Sequence, residues 1–298
     1  METLKFIFLA IVQGIGEFLP ISSSGHLLVL GNILFGDSST INDESLVTLS
    51  ILLHGGTLVS ILVFFYKQIW EVITRDWRVI GLLITGSVPT GIIGIVVIKK
   101  FPFLEESLLL AGIGFFITAF LLFKFVAPPR KNARETYFES IAETNGESPK
   151  LSEEKNLKTL DTMTFLDAFI IGFFQGIAVL PGFSRSGFTI SAALLRGLRR
   201  ADAAVFSFLL AIPVIAGAVL LEVKDTFFSN GDAQVTEEMN HLSAYGISTL
   251  ISFIVGLISL KYLMKWLQNG RLHYFGYWLI LVGTIVIFWI LSNIKLFV

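Results

Sequence analysis

QGIGEFLPISSSGH, residues 13–26, places a carboxylate, three consecutive serines and a histidine inside a chain that is otherwise strongly apolar. Of the 298 residues, 54% are hydrophobic and only 15% charged, and the mean hydropathy is +0.76. A soluble surface of this size needs more charge. The apolar residues also come in long blocks rather than amphipathic patterns, so the chain is expected to be an all-α integral membrane protein. The net charge of −1 offers no basic face to nucleic acid, and the lack of cysteine excludes disulfides and thiolate metal sites. The N-terminal run METLKFIFLAIVQGIGEFLP has one lysine and then glycines, Gln13 and Glu17, which suits a first membrane segment better than a cleaved leader.

Six segments have the roughly 20 residues needed to cross a hydrocarbon core, at 47–66, 79–98, 107–126, 203–221, 244–263 and 274–294. Two further regions are broken. Residues 4–18 and 26–35 are short apolar runs around LPISSSG, and residues 164–179 and 188–195 are short runs around LPGFSRSG. Such lengths predict re-entrant or broken helix hairpins. The two regions echo one another. Gln13-Gly14-Ile15 recurs as Gln175-Gly176-Ile177, and Ser22, Ser24 and Gly25 recur as Ser184, Ser186 and Gly187, all at an offset of 162 residues (175 − 13).

The basic residues orient the chain. Loops at 67–78, 124–163, 196–200 and 261–273 hold 16 of the 22 lysines and arginines, and they are expected on the cytoplasmic side. The first hairpin then enters from outside and the second from the cytoplasm. The chain divides into two repeats of inverted topology, 1–126 and 162–298, joined by a polar linker at 127–161, with the site expected near the midplane between them. A second polar stretch, 222–243, reads as an acidic external loop.

Ionisable residues inside membrane segments are costly and point to function. Gln13 and Glu17 are four apart, so a helix puts them on one face, and Pro20 ends that helix. Ser22, Ser23 and Ser24 supply hydroxyls, Gly25 permits a tight turn, and His26 begins the next helix, whose free N–H groups face back into the loop. The second loop repeats this with a cation, since Ser184, Arg185 and Ser186 precede Gly187 and a helix carrying Thr189. Arginine's fixed fork suits phosphate oxygens. Together the loops meet the needs of a phosphate ester or anhydride: charge neutralisation, a nucleophile or activated water, and proton transfer. Simpler readings exist. Serines in membrane helices also bond back to carbonyls, and a Glu17–Arg185 pair can be purely structural. His54, in SILLHGGTLVS, reads as a packing or lining residue, His241 and His273 as solvated, and RGLRR (196–200) as a topology signal.

At these loops the sequence resembles the bacterial undecaprenyl-diphosphate phosphatases, the BacA-type enzymes linked to bacitracin resistance. The family's (E/Q)xxxE signature running into FLPxSSxGH is matched from Gln13 to His26, its PGxSRSxxT is matched by Pro181 to Thr189, and SFLLAIPVIAGA (207–218) also looks like the family. The resemblance implies hydrolysis of undecaprenyl diphosphate to the monophosphate and phosphate, recycling the lipid carrier for cell-wall synthesis. The enzyme would sit in the bacterial cytoplasmic membrane, with its active site on the external side. It implies Glu17 as the essential carboxylate, on a divalent cation (Mg or Ca) or as a base. Ser23 is then a nucleophile, and His26 a second candidate or its acid/base partner. Arg185 grips the diphosphate, with Gln13, Ser22, Ser24, Ser184, Ser186 and Thr189 in substrate binding. Gln13 stands where many members carry glutamate, and Ser24 where threonine is frequent.

Two rival readings share some of these features. Type 2 phosphatases share Ser-Gly-His and Ser-Arg elements but need a second histidine after the latter, and none follows here until His241. A polyprenyl-phosphate transporter (flippase) would use the same inverted-repeat pocket, but transport needs no serine–histidine–glutamate set. The expected partners are the polyprenyl diphosphate and membrane lipids, and a homodimer is left open by the sequence.

Overall fold

The four short apolar runs of the sequence fold as four short helices. The computed structural model describes residues 2–35, 43–126, 157–229 and 235–294. The first hairpin is α1 (Glu2–Gly16) and α2 (Ser23–Phe35). Next come α3 (Asp43–Phe64), α4 (Tyr66–Arg75), α5 (Trp77–Lys100) and α6 (Leu108–Leu121). The second hairpin is α7 (Phe165–Ile177) and α8 (Arg185–Leu195), followed by α9 (Arg200–Ser229), α10 (Val235–Gln268) and α11 (Tyr274–Ile294). No strand occurs among the described residues, where β pairing is limited to one isolated bridge, Lys158 to Leu198. At about 1.5 Å rise per residue, none of the four hairpin helices spans a hydrocarbon core.

Among the described residues five helices are long and apolar enough to cross a bilayer, Trp77–Lys100, Leu108–Val126, Arg200–Leu221, Ser243–Gln268 and Tyr274–Ser292. A sixth is counted if the bent pair Thr48–Phe64 and Tyr66–Arg75 is one span. These fall on the six expected segments. The bend is a departure from the sequence reading, which treated 67–78 as a loop. Residues Tyr66–Arg75 form a helix turned 70° from the one before. Ile69, Val72 and Ile73 share one side of α4 against Lys67, Glu71 and Arg75, the pattern of a helix lying in an interface. Tyr66, Trp70 and Trp77 are exposed beside it, as interfacial aromatics are.

The 222–243 stretch, expected as a loop, is also largely helical, because α9 runs to Ser229 and α10 starts at Val235. The side chains of 222–229 and 235–242, His241 included, lie outside the described residues, as do the expected linker residues 127–156.

Helices meet through small residues and hydroxyls, as membrane helices do where burial alone gives no preference over lipid. At the α5–α7 crossing a Cβ on Gly172 would stand 1.9 Å from the Gly86 carbonyl oxygen, so only glycine lets the backbones approach. Thr90 then donates to the Gly172 carbonyl at 2.8 Å. Between α3 and α10, Ser60 donates to the Phe253 carbonyl and Ser252 to the Leu53 carbonyl.

RGLRR does more than mark topology. Arg196 and Lys158 both reach the fully buried Asp167 carboxylate, at 2.6 and 2.7 Å, and Arg199 pairs with Asp202. Asp167 is also the third residue of the Thr164 capping box that starts α7. These contacts fix the entry to the second hairpin.

Candidate active site

The two hairpin loops touch each other. A Cβ on Gly25 would lie 2.7 Å from the Gly182 backbone. Gly182 itself, at φ +84°, passes so close to the Ala111 carbonyl that no side chain fits. In the first loop the chain leaves α1 still hydrogen-bonded, Glu17 N–H to the Gln13 carbonyl at 2.9 Å, and reverses through Pro20. Ser22 carries the reversal at φ +66°, a left-handed conformation that costs a non-glycine residue about 1–3 kcal/mol. Three local bonds hold it there. Its hydroxyl accepts from Gly25 N–H at 3.4 Å, and its carbonyl accepts from the His26 N–H at 3.2 Å and faces the His26 ring Nδ1 at 2.9 Å.

In the second loop Ser184 caps α8. Its hydroxyl accepts from Gly187 N–H at 3.2 Å, while its own N–H donates to Thr118 at 3.1 Å.

This crossing brings Glu17, Ser23 and Arg185 together. Ser23 donates to Glu17 Oε2 at 2.7 Å, Gln13 Nε2 donates to the same oxygen at 3.0 Å, and Arg185 Nη2 donates to Oε1. Glu17 and Ser23 are buried, at 7% and 8% exposure. Arg185 spends one nitrogen on the pair. Its Nη1 is buried without a hydrogen-bond partner among the described residues, and so is Gln175 Oε1. An unpaired buried donor on a guanidinium is costly, and an anion would satisfy it.

Beside the pair lies a cavity of about 210 Å3. Glu17, Ser22, Ser23, Ser24, Arg185, His54 and Gln175 supply its polar wall, and Val214, Ile215, Ala218 and Val219 of α9 its apolar wall. Five residues expected from the sequence therefore line one space. The others stand behind it. Gln13 holds Glu17. Ser184 and Ser186 face each other at 3.3 Å beneath Arg185. Thr189 bonds the Arg185 carbonyl at 2.8 Å and also Ser207.

His26 does not line the cavity. Its Nε2 accepts from the Trp278 indole at 3.1 Å, its ring stacks on Trp278, and Phe115 meets it edge-on. With both ring nitrogens engaged it anchors the Ser22 turn to α11.

Two further residues line the cavity. His54, expected as a packing or lining residue, points Nε2 toward Glu17 Oε2 at 3.9 Å, while its Nδ1 faces the Ser50 carbonyl at 2.9 Å. Gln175 was visible only as the echo of Gln13, and its amide donates to Thr90 at 3.3 Å. The signal for His54 was its place inside an expected span, the same cost argument that singled out Glu17.

The donor set does not make a cage for a divalent cation. Glu17 is the one carboxylate in the cavity wall among the described residues, both its oxygens are engaged, and a guanidinium sits on it. Among the described residues no group of three or more His, Asp or Glu side chains converges.

The model of the bacitracin resistance protein BacA family matches residues 6–285 of the chain. The chain is 40% identical to an undecaprenyl-diphosphatase of Rhodopirellula baltica, with 96% of this chain and 97% of that protein covered. It is 38% identical to one of Halothermothrix orenii, covering 96% and 98%. A third, from Methanococcus vannielii, is 36% identical, covering 95% and 99%.

Proposed function

The chain belongs to the bacitracin resistance protein BacA family, and on that premise we propose that it is a multi-pass membrane phosphatase. It hydrolyses undecaprenyl diphosphate to undecaprenyl phosphate and inorganic phosphate, returning the lipid carrier to cell-wall synthesis. The observation that carries the chemistry is one carboxylate shared between a serine hydroxyl and an arginine at the edge of a cavity.

Ser23 is the nucleophile and Glu17 its base. As the Ser23 Oγ–phosphorus bond forms, the hydroxyl proton passes to Glu17 Oε2 and the bond to the bridging oxygen breaks. Undecaprenyl phosphate leaves with that electron pair. Water then attacks the phosphoserine, Ser23 takes its proton back from Glu17, and phosphate is released. Arg185 Nη1, the hydroxyls of Ser22 and Ser24 and the N-termini of α2 and α8 stabilise the charge on the transferred phosphoryl group. Gln13, Ser184, Ser186 and Thr189 hold Glu17 and Arg185 in register, and His26 holds the Ser22 turn. Glu17, already bonded by Gln13, Ser23 and Arg185, serves as the base and would not by itself hold a divalent cation, Mg or Ca.

The helices are two repeats, 1–126 and 162–298, of inverted topology in the bacterial cytoplasmic membrane, and the cavity faces the external side. The basic loops and the two broken hairpins support this reading. Transport is the weaker reading of the same pocket, because moving a lipid phosphate asks for no serine–carboxylate pair. The test is phosphate release from undecaprenyl diphosphate by purified protein in detergent, where there is no second side to transport to. Release by the parent protein, lost in Arg185→Ala, is expected; a parent that releases none would sink the reading.

A further inference from the structure

Hydrolysis of the phosphoserine leaves one proton to place. After the first transfer Glu17 carries the Ser23 proton, and in the second step it returns that proton to the departing Ser23 oxygen. A group acting there as the acid is not also the base for the attacking water, so a second base is needed in the same cavity. The ionisable side chains that line it, among the described residues, are Glu17, His54 and Arg185. A guanidinium does not give up its proton. His54 is left.

The ring is set for that task. A backbone carbonyl only accepts, so the 2.9 Å contact with the Ser50 carbonyl, one turn back on α3, fixes the hydrogen on Nδ1. Nε2 then presents a lone pair 3.9 Å from Glu17 Oε2, in a side chain that is 29% exposed. That separation is too long for a direct hydrogen bond and leaves the lone pair open to water.

Gln175 adds a second acceptor to the same wall. The Thr90 hydroxyl spends its one hydrogen on backbone carbonyls, Gly172 at 2.8 Å and Gly86 at 3.1 Å, so toward Gln175 it only accepts. The Gln175 amide must therefore turn its nitrogen to Thr90, at 3.3 Å, and its carbonyl oxygen is left buried without a partner among the described residues. In the first repeat the matching amide of Gln13 serves Glu17, but Val179 gives Gln175 no such carboxylate. A free acceptor calls for a hydrogen, which water carries and a fully ionised phosphate does not.

We propose that His54 is the general base of the second step, taking a proton from a water that Gln175 holds in the cavity. The proposal rests on the phosphatase reading and adds a catalytic residue to it. The bond from the water oxygen to phosphorus forms as the bond from Ser23 Oγ breaks. The water's proton passes to His54 Nε2, the Glu17 proton returns to Ser23 Oγ, and inorganic phosphate departs. The imidazolium, now facing a charged carboxylate, then gives its proton to solvent.

The test separates the two steps. His54→Gln keeps a polar side chain of similar reach and removes the base. Parent and variant are mixed with undecaprenyl diphosphate labelled in its terminal phosphate and quenched in acid over the first turnovers. The variant should phosphorylate Ser23 at close to the parent rate, which also shows that its site is folded. Its release of phosphate should slow by about 10²-fold or more, so label builds up on the protein. His54→Asn, read in the same way, guards against a variant that misfolds. Gln175→Met keeps the volume, removes the acceptor and should slow the same step roughly 10-fold. Release from both His54 variants at the parent rate, or slowing without build-up of label, would overturn the proposal and leave the phosphatase reading standing. A parent protein without phosphate release would overturn that reading and this proposal with it.

Discussion

Ser23 and Arg185 occupy the same position of the two loops, 162 residues apart (185 − 23), and both bond one carboxylate. The scaffolds around them match closely. Ser22 faces Ser24 at 3.4 Å as Ser184 faces Ser186 at 3.3 Å, and in each loop the first of these serines accepts from a glycine N–H three residues on. The chemistry does not match. Glu17 has Val179 as its counterpart, and His26 has Phe188. The left-handed residue also differs, a serine pinned by His26 in the first loop and Gly182 in the second. One repeated turn has thus been divided into a half that supplies nucleophile and base and a half that supplies the cation. A symmetric site would hold two carboxylates facing a diphosphate, and the asymmetry removes one of them.

The comparison breaks most sharply where the halves meet. Arg185→Ala and Glu17→Gln should each lower phosphate release by about 10³-fold or more, since each removes a charge acting on the transferred group. Arg185→Lys should recover little, because a point charge cannot serve Glu17 and a phosphate together. Restoring the missing symmetry is the next largest change. Val179 lines the cavity, so Val179→Glu sets a second carboxylate against Arg185 and the incoming anion. A rise in KM of about 10²-fold is expected in steady-state assays. Making the first loop resemble the second is milder. His26→Phe keeps the stacking volume and the backbone bond to the Ser22 carbonyl, but it removes the ring contact to that carbonyl and leaves the Trp278 indole without its acceptor. Thermal unfolding should show a loss of about 1–3 kcal/mol, with turnover reduced about 10-fold through the displaced Ser23.

Much of this was legible in the sequence because intramembrane polarity is expensive. Glu17, His26 and Arg185 stood out as costly residues beside helix breaks, and the structure gathers Glu17 and Arg185 on one wall with Ser23, while His26 stands outside it. The six apolar segments were equally plain. Three things were not. The bend at Phe65 hides in an apolar run whose composition changes only after the turn. His54 sits in a span with no signature around it, and only folding sets it 3.9 Å from Glu17. The placing of His26 depends on Trp278, 252 residues away, a contact that no local pattern encodes. Short-range rules found the broken helices, and long-range packing decided which of their polar side chains face the cavity.

The covalent step gives the most direct measurement. Purified protein is mixed with undecaprenyl diphosphate labelled in its terminal phosphate, quenched in acid within a turnover, and digested to locate label on the chain. The division of labour between the loops predicts label on Ser23 in the parent, none in Ser23→Ala, and none in Arg185→Ala. An unlabelled parent that still releases phosphate, together with a Ser23→Ala variant that turns over at close to the parent rate, would contradict it.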